Sequence, residues 1–518
     1  MYTPGVVLLI ATAALAADKP FLAPFETAGE PSPHGRLDEL VFDDWKRIGV
    51  QPANPASDEV FLRRAYLDTI GTLPTHDEAA KFLADRDPQK RAALIDRLLE
   101  RPEFGDYWAM KWCDVLRVKS EFPINLWPNA VQAYYHWIRT AIGDNMPYDR
   151  FVRALLVSNG SNFRVPEVNF YRAVQSREPQ AIAQAVALTF MGTRAATWPK
   201  TRLDGMAGFF SQIAYKTTME WKEEIVFFDP NKIRATATFP DGKPARLLPG
   251  QDPRAAFADW LLAADNPWFA RNAVNRVWFW LMGRGIVDAP DDIRPDNPPA
   301  NAELLDYLAR ELASAHYDSK HVYRLILNSQ VYQLSSIPQT RGPKAAAHFA
   351  AYPLRRLDAE VLIDAICRIT GTAEDYSSPI PEPFTFLPDG QRSIALPDGS
   401  ISSSFLEMFG RPPRDTGLAL ERDDMPTAGQ RLHLLNSSHI QQKIQQSTTL
   451  GELVKAQPGG KPRDPIDRLY LEILSRYPTN EELKTTGGYF QSVQGNKWSA
   501  AVDLAWALIN STEFLCRH

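Results

Sequence analysis

Apolar residues recur at helical spacing along most of the chain. Ser57 precedes one such run and Gly71 closes it, which is the usual pattern of a serine cap and a glycine stop. Thr75 and Glu78 have the spacing of a capping box, in which each side chain satisfies a free backbone donor. Similar runs, joined by short connections rich in proline, continue through residues 37–213. This pattern predicts an all-helical N-terminal domain.

The periodicity changes between about residues 217 and 248. Residues 225–228 and 233–239 are β-branched and aromatic, which is typical of strands, and Pro240-Asp241-Gly242 is a turn signal. Beyond Asp252 the helical spacing returns, and the prolines and Asp-Gly turns of residues 371–404 predict an irregular excursion. The helices predicted in this part cover residues 255–264, 267–282, 301–315, 319–334 and 358–370, with further helix from 427 to 518.

These elements predict a mainly α fold with two helical domains and a small β insert between them. The predicted divisions are a signal peptide at 1–16, an N-terminal helical domain at 17–215, a small β insert or linker at 216–250, and a C-terminal helical domain at 251–518, with the Pro-rich excursion at 371–404.

The charge balance excludes one class of partner. The 518 residues include 57 basic and 62 acidic side chains, for a formal net charge of -5. Nucleic-acid-binding domains normally show a strongly basic composition or stripe, so no nucleic-acid partner is expected. Beyond the N-terminus no apolar stretch reaches the length of about 18 residues that marks a membrane helix. The sequence therefore predicts no membrane span after signal cleavage.

The N-terminus predicts export. Residues 6–17 form a short apolar run that ends in Ala14-Leu15-Ala16, the small-x-small pattern that signal peptidase accepts. The run is too short to cross the hydrocarbon core of a bilayer as a helix. A buried N-terminal helix is the alternative. We expect a periplasmic or extracellular location.

The three cysteines predict neither a disulfide framework nor a thiolate metal site. Cys113, Cys367 and Cys516 lie far apart, and their odd number leaves at least one free thiol. Cys113 and Cys367 fall in helical apolar patterns, where a small buried hydrophobic role is the more common one. Their pairing remains open. The nine histidines show no helical His–Glu–His spacing, so we expect no metal site.

Loop carboxylates are the candidate catalytic groups. Asp291 and Asp292 follow a Gly-Arg-Gly string in a Pro-rich loop, where two carboxylates can act as an acid and base or bind a metal. Adjacent side chains point apart, however, and loop aspartates commonly cap helices or form turns. Glu421 is a third candidate acid.

Arginines next to carboxylates form the candidate binding groups. Arg276, Arg356, Arg411 and Arg414 each lie in a short string with other polar residues, most of them including a carboxylate or a second arginine. Guanidinium groups match carboxylates bidentately, so such clusters usually form structural ion pairs. The alternative is that they hold an anionic ligand, such as a sulfated or uronic sugar.

Several strings, in the same order along the chain, resemble one family: the planctomycete-type exported proteins with paired cytochrome-associated domains of unknown function, PSCyt followed by PSD. The strings are FLRRAYLDTIGTLPT at 61–75, NMPYDRF at 145–151, DNP at 265–267, NRVW at 275–278, GRGIV at 283–287, KH at 320–321, LNS at 327–329, RLDAE at 356–360 and WALINSTEF at 506–514.

The resemblance implies a cysteine-based site that this chain lacks. Many members carry a Cys-x-x-Cys-His motif after a Phe-Leu-Gly segment, where this chain has FMGTRAATWP at 190–199. Members also tend to carry Cys-x-Cys-Glu-Arg where this chain has LALER at 418–422. Because covalent haem needs two thiols and an axial ligand, no covalent haem and no other cofactor are expected.

Two functions follow as expectations. The first is an exported, non-catalytic scaffold or binding protein that acts with envelope proteins or polysaccharide. The second is an enzyme acting on complex or anionic carbohydrate, with Asp291, Asp292 and Glu421 as acids and the arginine cluster holding the substrate.

Overall fold

The computed structural model describes residues 22–455, 464–493 and 496–518. The predicted signal peptide at residues 1–16 lies outside the described residues. The fold is mainly α, with two helical domains and a small β insert between them, as the sequence predicts.

The N-terminal domain is built from helices that begin at the predicted caps. The Ser57 side chain accepts the backbone N–H of Val60, and Thr75 and Glu78 form the predicted capping box. The helices are α1 (Arg36–Ile48), α2 (Asp58–Ile70), α3 (His76–Ala84), α4 (Lys90–Leu99), α5 (Pro102–Val115), α6 (Pro128–Gly143), α7 (Tyr148–Val157), α8 (Asn169–Arg172), α9 (Pro179–Met191) and α10 (Lys200–Ala207).

The β insert extends the N-terminal domain through a three-stranded antiparallel sheet. Its strands are β1 (Gly160–Ser161), β2 (Ile213–Thr217) and β3 (Glu224–Phe228), in the order β1-β3-β2. Gly160 is opposite Val226, and Ile213 is opposite Phe228. The central strand β3 therefore joins the insert to the loop that follows α7.

The C-terminal domain is helical from residue 253 onward, apart from a two-stranded antiparallel sheet. Its elements are α11 (Pro253–Leu261), α12 (Phe269–Met282), α13 (Ala302–Ser314), α14 (Ser319–Asn328), α15 (Pro343–Ala347), β4 (Arg355–Arg356), α16 (Ala359–Thr370), α17 (Ser404–Met408), α18 (Ala428–Asn436), α19 (Ser438–Gln445), α20 (Thr448–Val454), α21 (Asp464–Leu474), α22 (Asn480–Ser492), α23 (Lys497–Ile509), α24 (Thr512–Leu515) and β5 (Cys516–Arg517). The excursion at 371–404 is irregular, with one short 3-10 helix at Ser393–Ala395.

The strand predicted at 233–239 is wrong. The backbone there packs against helix α10 and the turn after it instead of joining the sheet, and Thr238 donates its N–H to the carbonyl of Gly205 at 2.9 Å. A Cβ at Gly208 would lie 2.4 Å from the carbonyl oxygen of Thr236. Because Gly205 and Gly208 have no side chains, this segment can pack directly against the backbone of α10 and of the turn after it, and it does not pair with the sheet.

The helix predicted over 319–334 ends early, at Asn328. Beyond it, the backbone N–H groups of Gln330 and Val331 donate to the Asp38 carboxylate at 3.0 and 3.2 Å. Because Asp38 belongs to α1, a side chain of the other domain competes for the donors that would continue the helix.

One hydrophobic core extends through both domains. Helix α4 packs against α14, α1 against α13, and α3 against α21. The buried apolar residues form a single contiguous cluster from Leu37 to Phe514. The two domains are therefore joined by a shared core, and the polar groups between them are enclosed. Among the helices of the described residues, none combines the length and apolar character that a bilayer crossing requires.

Candidate functional site

A long loop of the C-terminal domain, residues 409–427, lies against the end of α5. Arg414 in this loop is 1% exposed. Its Nε donates to Asp114 Oδ1 at 3.0 Å, and its Nη1 donates to the carbonyl of Pro397 at 2.9 Å. The Arg414 side chain therefore joins the 409–427 loop to the N-terminal domain.

Arg422 of the same loop bridges the two domains a second time. Its Nη2 lies 2.7 Å from Asp114 Oδ2, and its Nη1 lies 2.6 Å from Glu360 Oε2 on α16. Arg411 also approaches Glu360, with 3.5 Å between Nε and Oε1. Burial lowers the pKa of Arg411 to about 10.

Asp358 is a third buried acid beside Asp114 and Glu360. It accepts hydrogen bonds from Lys111 at 2.9 Å and from Arg517 at 2.8 Å, and Arg517 also pairs with Asp68 at 2.9 Å. Burial opposes ionisation of Asp358, but the charges of Lys111, Arg517 and Arg422 prevail and hold its pKa well below the usual range.

These groups form one continuous set, which we term the interdomain ion network. It combines four acids with five bases, and all of its members except the half-buried Arg422 are buried. Its members are Asp68, Lys111, Asp114, Asp358, Glu360, Arg411, Arg414, Arg422 and Arg517.

Arg356, another candidate binding group, holds the same loop through its backbone. Its Nη2 donates to the carbonyls of Phe409 and Asp423, both at 2.8 Å, and its Nε donates to the carbonyl of Asp424 at 3.2 Å. Its hydrogen bonds thus fix both ends of the 409–427 loop.

Arg276 and Asp291 form a separate buried pair. The distance from Arg276 Nη2 to Asp291 Oδ1 is 3.1 Å, and the two side chains are 1% and 0% exposed. Asp291 Oδ2 accepts the backbone N–H of Ala419 at 2.6 Å. Burial raises the pKa of Asp291 even though Arg276 opposes the shift.

The other two candidate acids have local partners. Asp292 pairs with Arg294 at 3.2 Å. Glu421 accepts the backbone N–H groups of Asp415 and Thr416 at 3.1 and 3.4 Å, and burial raises its pKa. Asp291 is thus enclosed beside Arg276, while Asp292 and Glu421 each stabilise a loop conformation.

A cavity of about 420 Å³ lies beside the 409–427 loop. It brings together the two segments at which the family resemblance places cysteines, because Ala195 and Ala196 line it from one side and Leu418 from another. Arg117 and Arg194 supply two guanidinium groups to its wall. This cavity is the candidate ligand site.

Arg117 is the one buried arginine of the described residues whose side chain forms neither a hydrogen bond nor an ion pair. Its side chain is 4% exposed, and its Nε and Nη2 have no hydrogen-bond partner in the described part of the chain. The Phe170 ring centroid lies 5.9 Å from the guanidinium carbon. Burial lowers the pKa of Arg117 to about 10. Most buried polar groups are hydrogen-bonded, so each exception needs a physical reason.

A second cavity, of about 290 Å³, lies between α3, α5 and α16. Asp364 and Glu103 both line it. Burial raises the pKa of Asp364 to about 6, while a hydrogen bond from Arg101 lowers that of Glu103. Asp364 also accepts the backbone N–H groups of Ser393 and Ile394 at 2.7 and 3.1 Å. The cavity thus contains two carboxyl groups whose pKa values are shifted in opposite directions.

The residues at 190–199 do not fit covalent haem. The end of α9 and the 3-10 helix at Ala195–Thr197 present threonine, arginine, alanine and tryptophan side chains, with neither a thiol nor an imidazole. Within the three described ranges, no three His, Cys, Asp or Glu side chains are grouped to hold a metal ion. Cys113, Cys367 and Cys516 are all free thiols, the first two buried.

The residues that sequence reasoning missed become visible only through long-range packing. Arg117, Asp114 and Asp364 belong to none of the motifs that suggested candidates. Arg194 lies in the string at 190–199, which the family resemblance marks only for its missing cysteines and histidine. Arg117 follows the end of α5, and its neighbour in space, Gly417, lies 300 positions later in the sequence. No local signal marks such a residue.

Two family matches cover most of the chain. Residues 36–203 match the family described as "PSCyt2: Protein of unknown function (DUF1549)", and residues 253–490 match "PSD1: Protein of unknown function (DUF1553)". Neither a curated protein nor a solved structure gives a significant match.

Proposed function

The chain belongs to the family in which a PSCyt2 domain precedes a PSD1 domain, and we propose that it is an exported, non-catalytic scaffold or binding protein. Its partners are proposed to be envelope proteins or polysaccharide. Export is supported by the apolar run at residues 6–17 and the small-x-small pattern that ends it.

The observation that carries this proposal is the commitment of the candidate chemical groups to structural partners. Arg411 and Arg414 belong to the interdomain ion network, and Arg276 and Asp291 neutralise each other in a closed environment. A catalytic acid must reach substrate within hydrogen-bond distance. Groups that are buried against each other instead fix the relative position of two domains, which is what a scaffold needs.

Cross-linking in the native envelope is the direct test. The full-length protein, cross-linked in intact cells, is expected to yield the same envelope proteins or the same polysaccharide reproducibly. An exported protein of similar size from outside this family, cross-linked in the same cells, serves as the comparison. Turnover of a polysaccharide by the purified protein, at a rate that disappears when one side chain is changed, would overturn the non-catalytic assignment.

A second candidate function, an enzyme acting on complex or anionic carbohydrate, is supported by the 290 Å³ cavity. Two carboxyl groups whose environments move their pKa values apart are the usual basis of acid–base catalysis. Asp364 and Glu103 have opposite shifts and line one cavity.

The two functions are separated by a matched pair of variants. If the protein is an enzyme, Asp364→Asn and Glu103→Gln each reduce polysaccharide turnover by about a hundredfold or more, the usual size of a general acid or base effect. Asp43→Asn, which changes an exposed carboxylate on α1 outside this cavity, leaves the turnover unchanged. If the protein is a scaffold, neither the wild type nor any of these variants turns over polysaccharide.

A further inference from the structure

The cavity beside Arg117 has the composition of an anion-binding site. Two arginines line it, Arg117 and Arg194. Its one acidic lining residue is Asp415, which already pairs with Lys119 at 2.6 Å. The cavity therefore has a net positive charge before any ligand enters.

Arg117 is held in place by backbone geometry and not by an opposing charge. Its φ of 56° is left-handed, which is uncommon for a residue with a side chain. A Cβ at Gly417 would lie 2.5 Å from Arg117 Nη1. The loop thus has a glycine at position 417, where the side chain of any other residue would displace the Arg117 guanidinium.

Leaving a buried guanidinium without an ion pair is costly, because desolvation of the charge is not repaid by a partner. No carboxylate of the described residues pairs with Arg117, and Glu421 acts on it only through space. A buried guanidinium that lines a cavity and has no partner is expected where an external anion completes the site.

The remaining wall favours a hydroxylated ligand. Gln175, Ser176, Gln184 and Thr416 supply amide and hydroxyl groups, and the rest is formed by small apolar side chains. The volume of about 420 Å³ falls in the range of small-molecule sites, roughly 300–1,000 Å³. A guanidinium matches carboxylate and sulfate through two parallel hydrogen bonds.

We propose that this cavity binds a sugar unit that carries a carboxylate or sulfate group, with the anionic group on Arg117 and the hydroxyl groups against the amide and hydroxyl side chains. This site is separate from the 290 Å³ cavity. A sugar-binding cavity is compatible with either a scaffold or an enzyme. A negative binding experiment would therefore overturn the sugar-binding proposal without deciding between those two functions.

Calorimetric titration of the full chain tests the proposal, with D-glucuronate and glucose 6-sulfate as probes. Saturable binding of one or both is expected, with no binding of neutral glucose. Arg117→Met is expected to weaken binding by about ten- to a hundredfold, the loss of a charged hydrogen bond. Arg310→Met, which removes an exposed charge elsewhere, should leave binding unchanged.

The melting temperature separates a ligand-binding role of Arg117 from a structural one. Without ligand, Arg117→Met is expected to be at least as stable as the wild type, because an unpaired buried charge is gone. A large loss of stability together with unchanged binding would overturn the proposal. If Arg117→Met does not fold, Arg194→Met provides the test. Because Arg194 is exposed, its replacement should weaken binding about two- to fivefold without changing the melting temperature.

Three further outcomes overturn part or all of the proposal. Absence of saturable binding to both anionic sugars overturns it entirely, as does equal binding by the wild type and by both arginine variants. Inorganic sulfate that binds as tightly as glucose 6-sulfate overturns the sugar assignment, because the hydroxyl contacts would then contribute nothing.

Discussion

Arg414 donates its Nε–H to Asp114 Oδ1 at 3.0 Å across 300 positions of the sequence. Asp114 lies in the last turn of α5, in the PSCyt2 region, and Arg414 lies in the 409–427 loop of the PSD1 region. Both side chains are buried. The contact therefore depends on correct docking of the two domains, and it also reports on that docking.

Replacement of Arg414 should destabilise the whole protein. Arg414→Met leaves Asp114 with one fewer partner in a buried site, and breaking a buried ion pair costs about 3–5 kcal/mol. The free energy of unfolding in urea measures this loss. Arg153→Met is the matched control, because its pair with Asp259 at 2.6 Å is largely exposed and should contribute about 0–1 kcal/mol. Equal effects of the two changes would contradict a structural role for the network.

Acid should weaken the interdomain ion network. The folded pKa of Asp358 lies well below its usual value, whereas an unfolded aspartate has a pKa of about 3.9. The unfolded state therefore binds more protons as pH falls through about 4, and the stability present above that pH is lost below it. The direction is the same for Glu360, where the Arg422 charge and hydrogen bond outweigh burial and lower the pKa.

Urea unfolding at pH 6, 5, 4 and 3 checks this dependence. The difference in unfolding free energy between the wild type and Asp358→Asn should be largest at pH 6 and 5. It should narrow below about pH 4, where the unfolded wild type binds a proton at Asp358 that folding must release. A difference that stays constant from pH 6 to pH 3 would show that the charge of Asp358 is not what stabilises the network.

Local signals in the sequence predicted the parts of the fold that depend on neighbours in the chain. The capping box at Thr75 and Glu78 needs only three residues of separation, and it is present. The helix end at Asn328 was not predicted, because it depends on Asp38, nearly 300 positions earlier. The sequence shows which residues each segment contains, but it does not show that Asp38 and the residues after Asn328 are in contact.

The candidate site shows the same division. Pattern reasoning identified Arg411 and Arg414 from their local composition, but their partners Glu360 and Asp114 lie on α16 and α5. Arg117 was missed because burial without a pair is a property of the packed molecule. Asp114 lies three positions before Arg117 in the sequence, but in the structure it pairs with Arg414 instead. The missing ion pair of Arg117 is therefore visible only once the neighbours in space are known.

The purified protein is expected to contain no covalently attached haem. Residues 190–199 and 418–422 contain no cysteine and no histidine, and thioether attachment needs two thiols with an axial ligand nearby. An absorption spectrum of the exported protein checks this, together with elemental analysis. A Soret band that survives denaturation, or one metal ion per chain, would contradict the prediction.

Gly410 should be intolerant of a side chain because of its position at the start of the 409–427 loop. Its φ is +79°, and a Cβ there would lie 1.9 Å from the carbonyl oxygen of Asp423. That backbone is held by Arg356, which donates to the same carbonyl at 2.8 Å, so the loop has little freedom to move away. Gly410→Ala is expected to reduce the free energy of unfolding by more than the roughly 1–2 kcal/mol of left-handed strain alone.

Gly390→Ala separates the two contributions to that loss. Gly390 has a similar φ of +70°, but a Cβ there would meet nothing within 4 Å. Its replacement should therefore cost only the backbone strain, about 1–2 kcal/mol. Urea unfolding of both variants gives the comparison. If Gly410→Ala is no more destabilising than Gly390→Ala, the 409–427 loop is free to shift, and Arg356 does not hold it against the domain as its hydrogen bonds to Phe409 and Asp423 indicate.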